Sequence, residues 1–202
     1  MYPLPNKLME NVSADDALKL LLQGNDRFIK GEIINPYQVV RRRKEIIHGQ
    51  RPFAVLIGCS DSRVPPEILF DQGLGDIFVI RAAGVTVGNV CIGSLEFALE
   101  HLDVNLVLVM GHQYCGLIET AANGDDVHHH LGSLVKTASK AVENTKDLPG
   151  DHLENATKEN VRLLIETLET KSPTIEKYIN NGKVKIVGCY YSLDTGKVDI
   201  IA

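Results

Sequence analysis

A thiol, a carboxylate and a guanidinium follow one another closely near residue 60. Cys59, Asp61 and Arg63 occupy alternate positions directly after the apolar run Phe53 to Gly58. Thiolate sulfur and carboxylate oxygen are ligands that zinc accepts, whereas a thiol among charged neighbours can also act as a nucleophile. This stretch therefore predicts either a metal site or thiol chemistry.

A second pair of metal ligands decides between these two kinds of chemistry. His112 and Cys115 also come directly after an apolar run. A His-x-x-Cys pattern is weak evidence by itself, but together with Cys59 and Asp61 it offers two sulfurs, one nitrogen and one oxygen to a tetrahedral zinc ion. We therefore predict a metal centre at these four residues.

Asp61 and Arg63 are expected to form an ion pair beside the metal. Side chains at alternate positions of an extended backbone point the same way, so this carboxylate and this guanidinium can pair through two hydrogen bonds. A paired Asp61 leaves the fourth metal position open for water. An unpaired Asp61 can occupy that position instead, as the fourth ligand of a closed site.

Bringing the two stretches together requires a parallel sheet. The runs 53–58 and 106–110 lack polar alternation, which is typical of strands buried on both faces of such a sheet. A further strand is expected at 77–80, closed by a loop at 81–84, and helices separate these strands. The pattern predicts an α/β fold with a mostly parallel central β-sheet flanked by helices, which places the strand ends at one edge.

The remaining elements complete a single domain spanning residues 1–202. A helix capped by Ser13 and ended by Gly31, and a second from Asn35–Pro36 to about His48, form an N-terminal helical arm, 1–50. These helices have no neighbour in sequence to pack on, so we expect them to pack on a partner subunit. The α/β core, 51–202, is expected to contain helices at 65–70, 88–101, 115–123, 131–146, 151–169 and 173–181 and a C-terminal strand pair at 184–188 and 198–201.

Three other features are interpreted without a catalytic role. The basic run 41–44 is expected to be a solvated or intersubunit helix face, and the triple histidine 128–130 an exposed loop rather than a second metal site. Cys91 and Cys189 are expected to be buried as small apolar residues. Within the helix at 88–101, the predicted apolar positions are Ile92, Leu95, Phe97 and Leu99.

The composition argues against several classes of protein. With 202 residues, of which 44% are hydrophobic, the chain can bury a sizeable core. A net charge of −5 provides no basic field for nucleic acid. No apolar run reaches the roughly 18 residues of a membrane span, and no signal-peptide layout is present at the N-terminus. Four dispersed cysteines are not a disulfide scaffold. We therefore expect a cytoplasmic protein without a nucleic acid or membrane partner.

From about Ser13 to the C-terminus, the chain resembles the β-class carbonic anhydrases. Both ligand stretches carry the resemblance, Cys59-Ser60-Asp61-Ser62-Arg63 and Gly111-His112-Gln113-Tyr114-Cys115-Gly116. Four other segments also match the family: 24–28, 49–50, 94–98 and 194–196.

The resemblance implies a function and a role for each matched residue. Cys59, His112 and Cys115 would bind one Zn²⁺ per subunit, with Asp61 and Arg63 as a catalytic, gating pair. The implied reaction is the reversible hydration of carbon dioxide to bicarbonate and a proton, through attack by hydroxide on the zinc. The implied substrate pocket is formed by Gln50, Phe78, Ala83, Phe97 and Gly116. Gln50 would reach the pocket of a neighbouring subunit, in a homodimer or tetramer.

Two alternatives remain open at this point. Ala82 and Val85 stand where the family often has asparagine, and Tyr114 occupies a variable position between two ligands, so substrate choice is not fixed. The same scaffold could act as a hydrolase of carbonyl sulfide or carbon disulfide. It could also be a catalytically silent zinc-binding homologue, although Asp61 and Arg63 are both present.

Overall fold

In the computed structural model, residues 12–34 and 40–202 are described. The strands among them are β1 (Ala54–Cys59), β2 (Ile77–Ala82), β3 (Leu106–His112), β4 (Lys185–Tyr191) and β5 (Val198–Ile200). The helices among them are α1 (Ala14–Lys30), α2 (Val40–Glu45), α3 (Pro66–Leu69), α4 (Asn89–His101), α5 (Gly116–Asn123), α6 (His129–Thr145), α7 (His152–Lys171) and α8 (Pro173–Asn180).

The five strands form one sheet in the order β2-β1-β3-β4-β5. All neighbouring strands are parallel except β5, which runs antiparallel to β4. Every residue of β1 and β3 is buried, as expected for apolar strands covered on both faces. The predicted α/β fold, its mostly parallel sheet and its C-terminal strand pair are therefore confirmed.

Helices cover both faces of the sheet and produce two apolar cores. On one face, Leu95 of α4, Ile118 of α5 and Leu164 of α7 pack against β1 and β3, together with residues of α6 and α8. On the other face, Leu21 of α1 and Leu69 of α3 pack against the opposite side of the same strands. The sheet is held rigidly between these layers, which fixes the positions of its strand ends.

Helix α1 begins and ends as the sequence predicts, but it packs on its own chain. The Ser13 hydroxyl accepts a hydrogen bond from the backbone N–H of Asp16 at 3.1 Å, and Gly31 ends the helix with φ 69°. Ala17 and Leu21 are fully buried against the chain's own sheet, so α1 has a packing surface in its own chain even though it has no neighbour in sequence to pack on. Packing of the N-terminal helices on a partner subunit stays a prediction.

The matched segment 24–28 anchors α1 to the core. A Cβ atom on Gly24 would lie 1.7 Å from the carbonyl oxygen of Phe70, so only glycine fits there. Asn25 donates to the carbonyl oxygens of Leu69 and Gly196, at 3.1 and 2.9 Å, and accepts from the N–H of Val198 at 2.9 Å. This segment therefore has a structural role.

Three strands, β2, β3 and β4, are longer at their carboxyl ends than the sequence indicates, and β4 continues to Tyr191 rather than ending at Gly188. Arg81 and Ala82, expected in a loop, continue β2 because they pair with Gly58 and Cys59 of β1. A 3₁₀ turn, Ala83–Val85, follows. Strand β3 continues to His112, which pairs with Tyr191 of β4. In each case pairing with a neighbouring strand extends the strand beyond its predicted end.

The second predicted helix is only partly described, and its basic run is not uniformly solvated. Its predicted start, residues 35–39, lies outside the described residues, and α2 ends at Glu45. The side chain of Arg42 is buried. Its Nε donates a hydrogen bond to the carbonyl oxygen of Leu74 at 3.0 Å, and its Nη2 lies 3.3 Å from Asp76 Oδ1. The expectation of a solvated or intersubunit face is therefore wrong for Arg42, because this guanidinium finds buried acceptors in its own chain.

Two local expectations need correction. His129 and His130 are exposed as predicted, but they begin α6 rather than lying in a loop. Phe97, expected at an apolar position of α4, is 47% exposed and stacks beside Phe78 and His101 instead of entering the core. The other predicted helices and the burial of Cys91 and Cys189 are confirmed.

Within residues 12–34 and 40–202, no helix combines the length and the apolar character needed to cross a membrane.

Candidate metal centre

Three side chains meet where neighbouring strands end. Cys59 is the last residue of β1, His112 the last of β3, and Cys115 immediately precedes α5. One ligand atom from each, the two sulfurs and an imidazole nitrogen, all lie within 4.8 Å of one another, and all three residues are buried. The predicted convergence of the two stretches is observed because β1 and β3 are parallel neighbours.

The thiols of Cys59 and Cys115 shift each other's pKa in opposite directions. Hydrogen bonds from the Cys115 thiol and from the backbone N–H groups of Asp61 and Gly84 lower the pKa of the Cys59 thiol well below its ordinary value, against the opposing effect of burial. The pKa of the Cys115 thiol is raised, because it donates to Cys59 and because burial and the neighbouring charge disfavour a second thiolate. A cation at this point would allow both thiols to ionise.

The imidazole of His112 is oriented with one free nitrogen. Its Nδ1 lies 2.8 Å from the carbonyl oxygen of Gln113, which can only accept, so Nδ1 carries the proton. Its Nε2 is buried, and among the described residues it has no hydrogen-bond partner. A buried nitrogen lone pair beside two thiols is the donor set that zinc prefers, so these residues fit a metal ion with three protein ligands.

Asp61 and Arg63 form the expected ion pair at the border of this cluster. Arg63 donates from Nε to Asp61 Oδ1 at 3.0 Å and from Nη2 to Oδ2 at 2.7 Å, and its backbone N–H donates to Oδ1 at 2.8 Å. These bonds hold the pKa of Asp61 at about 2. Asp61 Oδ2 lies 4.0 Å from His112 Nε2, so an ionised carboxylate faces the metal ligands without joining their cluster.

The loop after Cys59 is held by residues that sequence reasoning did not single out for this purpose. Arg81 donates to the carbonyl oxygens of Cys59 and Asp61 at 2.7 and 2.6 Å. The N–H of Gly84 lies 3.4 Å from the Cys59 sulfur, and the buried amide of Asn160 donates to the Gly84 carbonyl at 3.1 Å. The sequence could have pointed to Asn160, because it is a polar residue on the apolar face of its helix, four residues before Leu164.

The five predicted pocket residues do not all lie beside the cluster. Gly116 is the first residue of α5, directly after Cys115, and the exposed Ala83 directly follows β2. Gln50 is exposed before the amino end of β1, at the opposite end of the strand from Cys59. Phe78 precedes Ala82, the partner of Cys59, by four residues, which is about 13 Å along a strand. Its ring centroid lies 6.3 Å from that of Phe97.

Comparison with known proteins agrees with this fold and cluster. Residues 54–198 match the family model described as "Carbonic anhydrase". A carbonic anhydrase of Mycolicibacterium smegmatis is 34% identical over 196 residues, covering 95% of each chain. Carbonic anhydrase 2 of Mycobacterium tuberculosis is 35% identical over 193 residues, covering 94% of this chain and 93% of that protein.

Solved structures show the same architecture. The β-carbonic anhydrase CcaA superimposes with a TM-score of 0.72 at 26% identity, covering 92% of this chain and 98% of that one. A β-carbonic anhydrase from Sordaria macrospora gives a TM-score of 0.74 at 22% identity, covering 93% and 98%. The chain belongs to the carbonic anhydrase family, and its fold is that of the β-class.

Proposed function

We propose that this protein catalyses the reversible hydration of carbon dioxide to bicarbonate and a proton, using one Zn²⁺ per chain. The observation that carries the proposal is the buried Cys59–His112–Cys115 cluster beside the Asp61–Arg63 pair, in a chain of the carbonic anhydrase family. Hydration of carbon dioxide is the activity of this family.

Zinc is the metal that the donor set favours. Two thiolates and one neutral imidazole would hold it, and the charge of the two thiolates would balance that of the ion. The chemistry that zinc supplies when bound is Lewis acidity, which brings the pKa of water down to about 7. Three protein ligands leave one position for a reactant, provided that Asp61 stays with Arg63 rather than becoming the fourth ligand.

Asp61 would orient the reacting water. Because Arg63 keeps its carboxylate ionised, Asp61 can accept a hydrogen bond from the O–H of that water and turn an oxygen lone pair toward the carbon of carbon dioxide. The backbone N–H of Gly116, at the start of α5, has no acceptor within its own helix. We propose that it donates to the oxygen that gains negative charge.

The remaining pocket residues point to a site completed by a second copy of the chain. Within one chain, Gln50 and Phe78 lie far along the sheet from Cys59. A neighbouring subunit would supply Gln50 as a hydrogen-bond donor and Phe78 and Phe97 as apolar side chains, while Ala83 of the same chain follows Ala82, the strand partner of Cys59. Together they would form the apolar wall that suits a substrate without a dipole. The aromatic pair is open to such a partner, since Phe97 is 47% exposed.

We therefore propose a homodimer, or a tetramer built from such dimers. Strand β2 is an edge strand of the sheet, and Val40 and Ile47, in and after α2, are 63% and 70% exposed. Apolar side chains and an edge strand of this kind are normally covered. Sedimentation should show an assembly, and a stable, active monomer would remove the intersubunit role of Gln50.

A cytoplasmic location forms part of the same proposal. All four cysteines are free thiols, which suits a reducing compartment. The net charge of −5 supports a small-molecule substrate rather than nucleic acid.

The proposal is tested by stopped-flow measurement of carbon dioxide hydration across pH, with the zinc content determined on the same sample. Carbonyl sulfide and carbon disulfide hydrolysis should be measured in parallel. We expect one zinc per chain and a preference for carbon dioxide. Faster turnover of carbonyl sulfide or carbon disulfide would assign the site to that hydrolysis, and a fully zinc-loaded protein without activity on any of the three would be a silent homologue.

A further inference from the structure

Gln113, between two of the proposed metal ligands, has a side chain that makes three hydrogen bonds to the turn between β4 and β5. Its Nε2 donates to Asp194 Oδ2 at 2.7 Å. Its Oε1 accepts from the Ser192 hydroxyl at 3.2 Å and from the backbone N–H of Asp194 at 3.1 Å. Three hydrogen bonds thus connect one side chain of the ligand loop, the segment from His112 to Cys115, to residues about eighty positions later in the chain.

The backbone of Gln113 is what fixes the proposed histidine ligand. Its carbonyl oxygen lies 2.8 Å from His112 Nδ1, and its N–H donates to the carbonyl of Tyr191 at 2.9 Å. The direction of this carbonyl sets which imidazole nitrogen carries the proton and how the ring is turned. Any displacement of Gln113 therefore changes the direction of the free Nε2.

The rest of the loop depends on the same support. Tyr114 has a φ of 55°, in the left-handed region that residues other than glycine rarely adopt. Its carbonyl accepts from Arg63 Nη2 at 3.1 Å, and its hydroxyl lies 3.5 Å from Asp194 Oδ2. This strained residue connects His112 to Cys115, so its conformation determines the separation of the two ligands.

The carboxylate of Asp194 is not needed to form its own turn. That turn is closed by backbone bonds, from Ser192 N–H to the carbonyl of Lys197 and from Gly196 N–H to the carbonyl of Ser192, both at 2.9 Å. The side-chain contacts of Asp194 are directed to Gln113 and Tyr114. The carboxylate therefore acts on the ligand loop rather than on the hairpin.

We infer that Gln113 and Asp194 are positioning residues, which hold His112 and Cys115 at the separation and orientation that a bound metal requires. The inference rests on the proposed function, since it presumes that these two residues are metal ligands. It gives the matched segment 194–196 a role: the turn supports the metal centre from the neighbouring strand.

The test exchanges the hydrogen-bonding groups of the pair. Gln113→Glu places a carboxylate against that of Asp194, and the two repel each other. Adding Asp194→Asn restores a donor facing an acceptor, since the new amide can donate to the new carboxylate. Asp199→Asn is the matched control, because its carboxylate lies in β5 and pairs with Lys197 at 2.6 Å.

Zinc affinity is measured by chelator competition, and the Co²⁺-substituted proteins are compared by visible absorption, which reports ligand geometry. We expect Gln113→Glu to weaken zinc binding by about 10- to 100-fold and to change the cobalt spectrum. The double variant should recover both properties, and Asp199→Asn should change neither. Unfolding of the metal-free proteins is followed in parallel, so that loss of fold is not mistaken for loss of affinity.

The outcomes separate this inference from the proposed function. If the unsubstituted protein does not bind zinc, the proposed function fails. If it binds zinc but Gln113→Glu binds it equally tightly, the positioning role is wrong. A double variant that folds and still binds zinc as weakly as Gln113→Glu would also overturn the inference, because complementary groups would then not have restored the site.

Discussion

The guanidinium of Arg63 bridges the carboxylate of Asp61 and the backbone carbonyl of Tyr114. Its Nη2 lies 2.7 Å from Asp61 Oδ2 and 3.1 Å from the oxygen of Tyr114. Asp61 belongs to the loop after β1, and Tyr114 to the loop after β3. One side chain therefore keeps a carboxylate ionised and also joins the two loops that carry the proposed metal ligands.

Replacing Asp61 should separate metal binding from catalysis. Asp61→Asn keeps the shape of the side chain but removes the charge and one acceptor, so it can no longer orient water as proposed. We expect one zinc per chain and a rate of carbon dioxide hydration lower by about 10- to 100-fold. Asp199→Asn is a suitable control and should be fully active. An unchanged rate in Asp61→Asn would exclude the proposed catalytic role.

Removing Arg63 should raise the pKa of Asp61. In Arg63→Met, we expect that pKa to rise from about 2 toward its ordinary value of 3.8, but only part of the way, because the backbone N–H bond to Oδ1 remains. Carboxyl ¹³C NMR of the metal-depleted protein would measure it. An unchanged pKa would show that the guanidinium of Arg63 is not the main cause of the lowered pKa of Asp61.

The sign of the accompanying stability change follows from the lowered pKa. The folded protein binds the proton of Asp61 less tightly than the unfolded chain does. The stabilisation is therefore complete above about pH 4 and is lost as the pH falls toward about 2. This pH dependence should become smaller in Arg63→Met.

The amide of Asn160 should contribute to the stability of the site. Asn160→Ala leaves the Gly84 carbonyl without its 3.1 Å donor in a buried position, so we expect a loss of about 1–3 kcal/mol in the free energy of unfolding. Asn144→Ala removes an exposed amide that donates a hydrogen bond to Glu159 at 2.9 Å. This substitution should change the free energy of unfolding by no more than about 0.5 kcal/mol. Denaturant titration compares them, and equal losses would contradict the structural role of Asn160.

Gly24 should tolerate no side chain. Because a Cβ atom would lie 1.7 Å from the Phe70 carbonyl oxygen, the backbone must shift, and Gly24→Ala should lose about 3 kcal/mol or more. Gly93→Ala in α4 is the control, because the added Cβ would meet no atom within 4 Å beyond its chain neighbours and the backbone of its own helix. The higher helix propensity of alanine should increase the free energy of unfolding by up to about 1 kcal/mol. Thermal unfolding distinguishes them, and a Gly24→Ala protein of unchanged stability would contradict the proposed close contact.

The sequence was sufficient to predict those features that depend on local pattern. The apolar runs before Cys59 and before His112 indicated buried parallel strands, and their shared edge then followed from the geometry of such sheets. Asp61 and Arg63 could be paired because they are two residues apart. Ser13 and Gly31 marked the ends of α1 by capping chemistry alone.

Features that depend on distant contacts could not be predicted in the same way. The ends of β2 and β3 are set by pairing with β1 and β4, which the apolar runs do not reveal. The bond between Gln113 and Asp194 joins residues 81 apart, and that between Asn160 and Gly84 joins residues 76 apart. Arg42 looked like part of a charged surface because its buried acceptor, Asp76, lies 34 residues away.

The most direct measurement compares the unsubstituted protein with Cys115→Ser, determining zinc content and the stopped-flow rate of carbon dioxide hydration on the same samples. Cys91→Ser, a matched exchange at a buried thiol outside the cluster, is the control. We predict one zinc per chain and rapid hydration in the unsubstituted and control proteins, and loss of most of both in Cys115→Ser. Full zinc content and a full rate in Cys115→Ser would contradict the assignment of the metal centre.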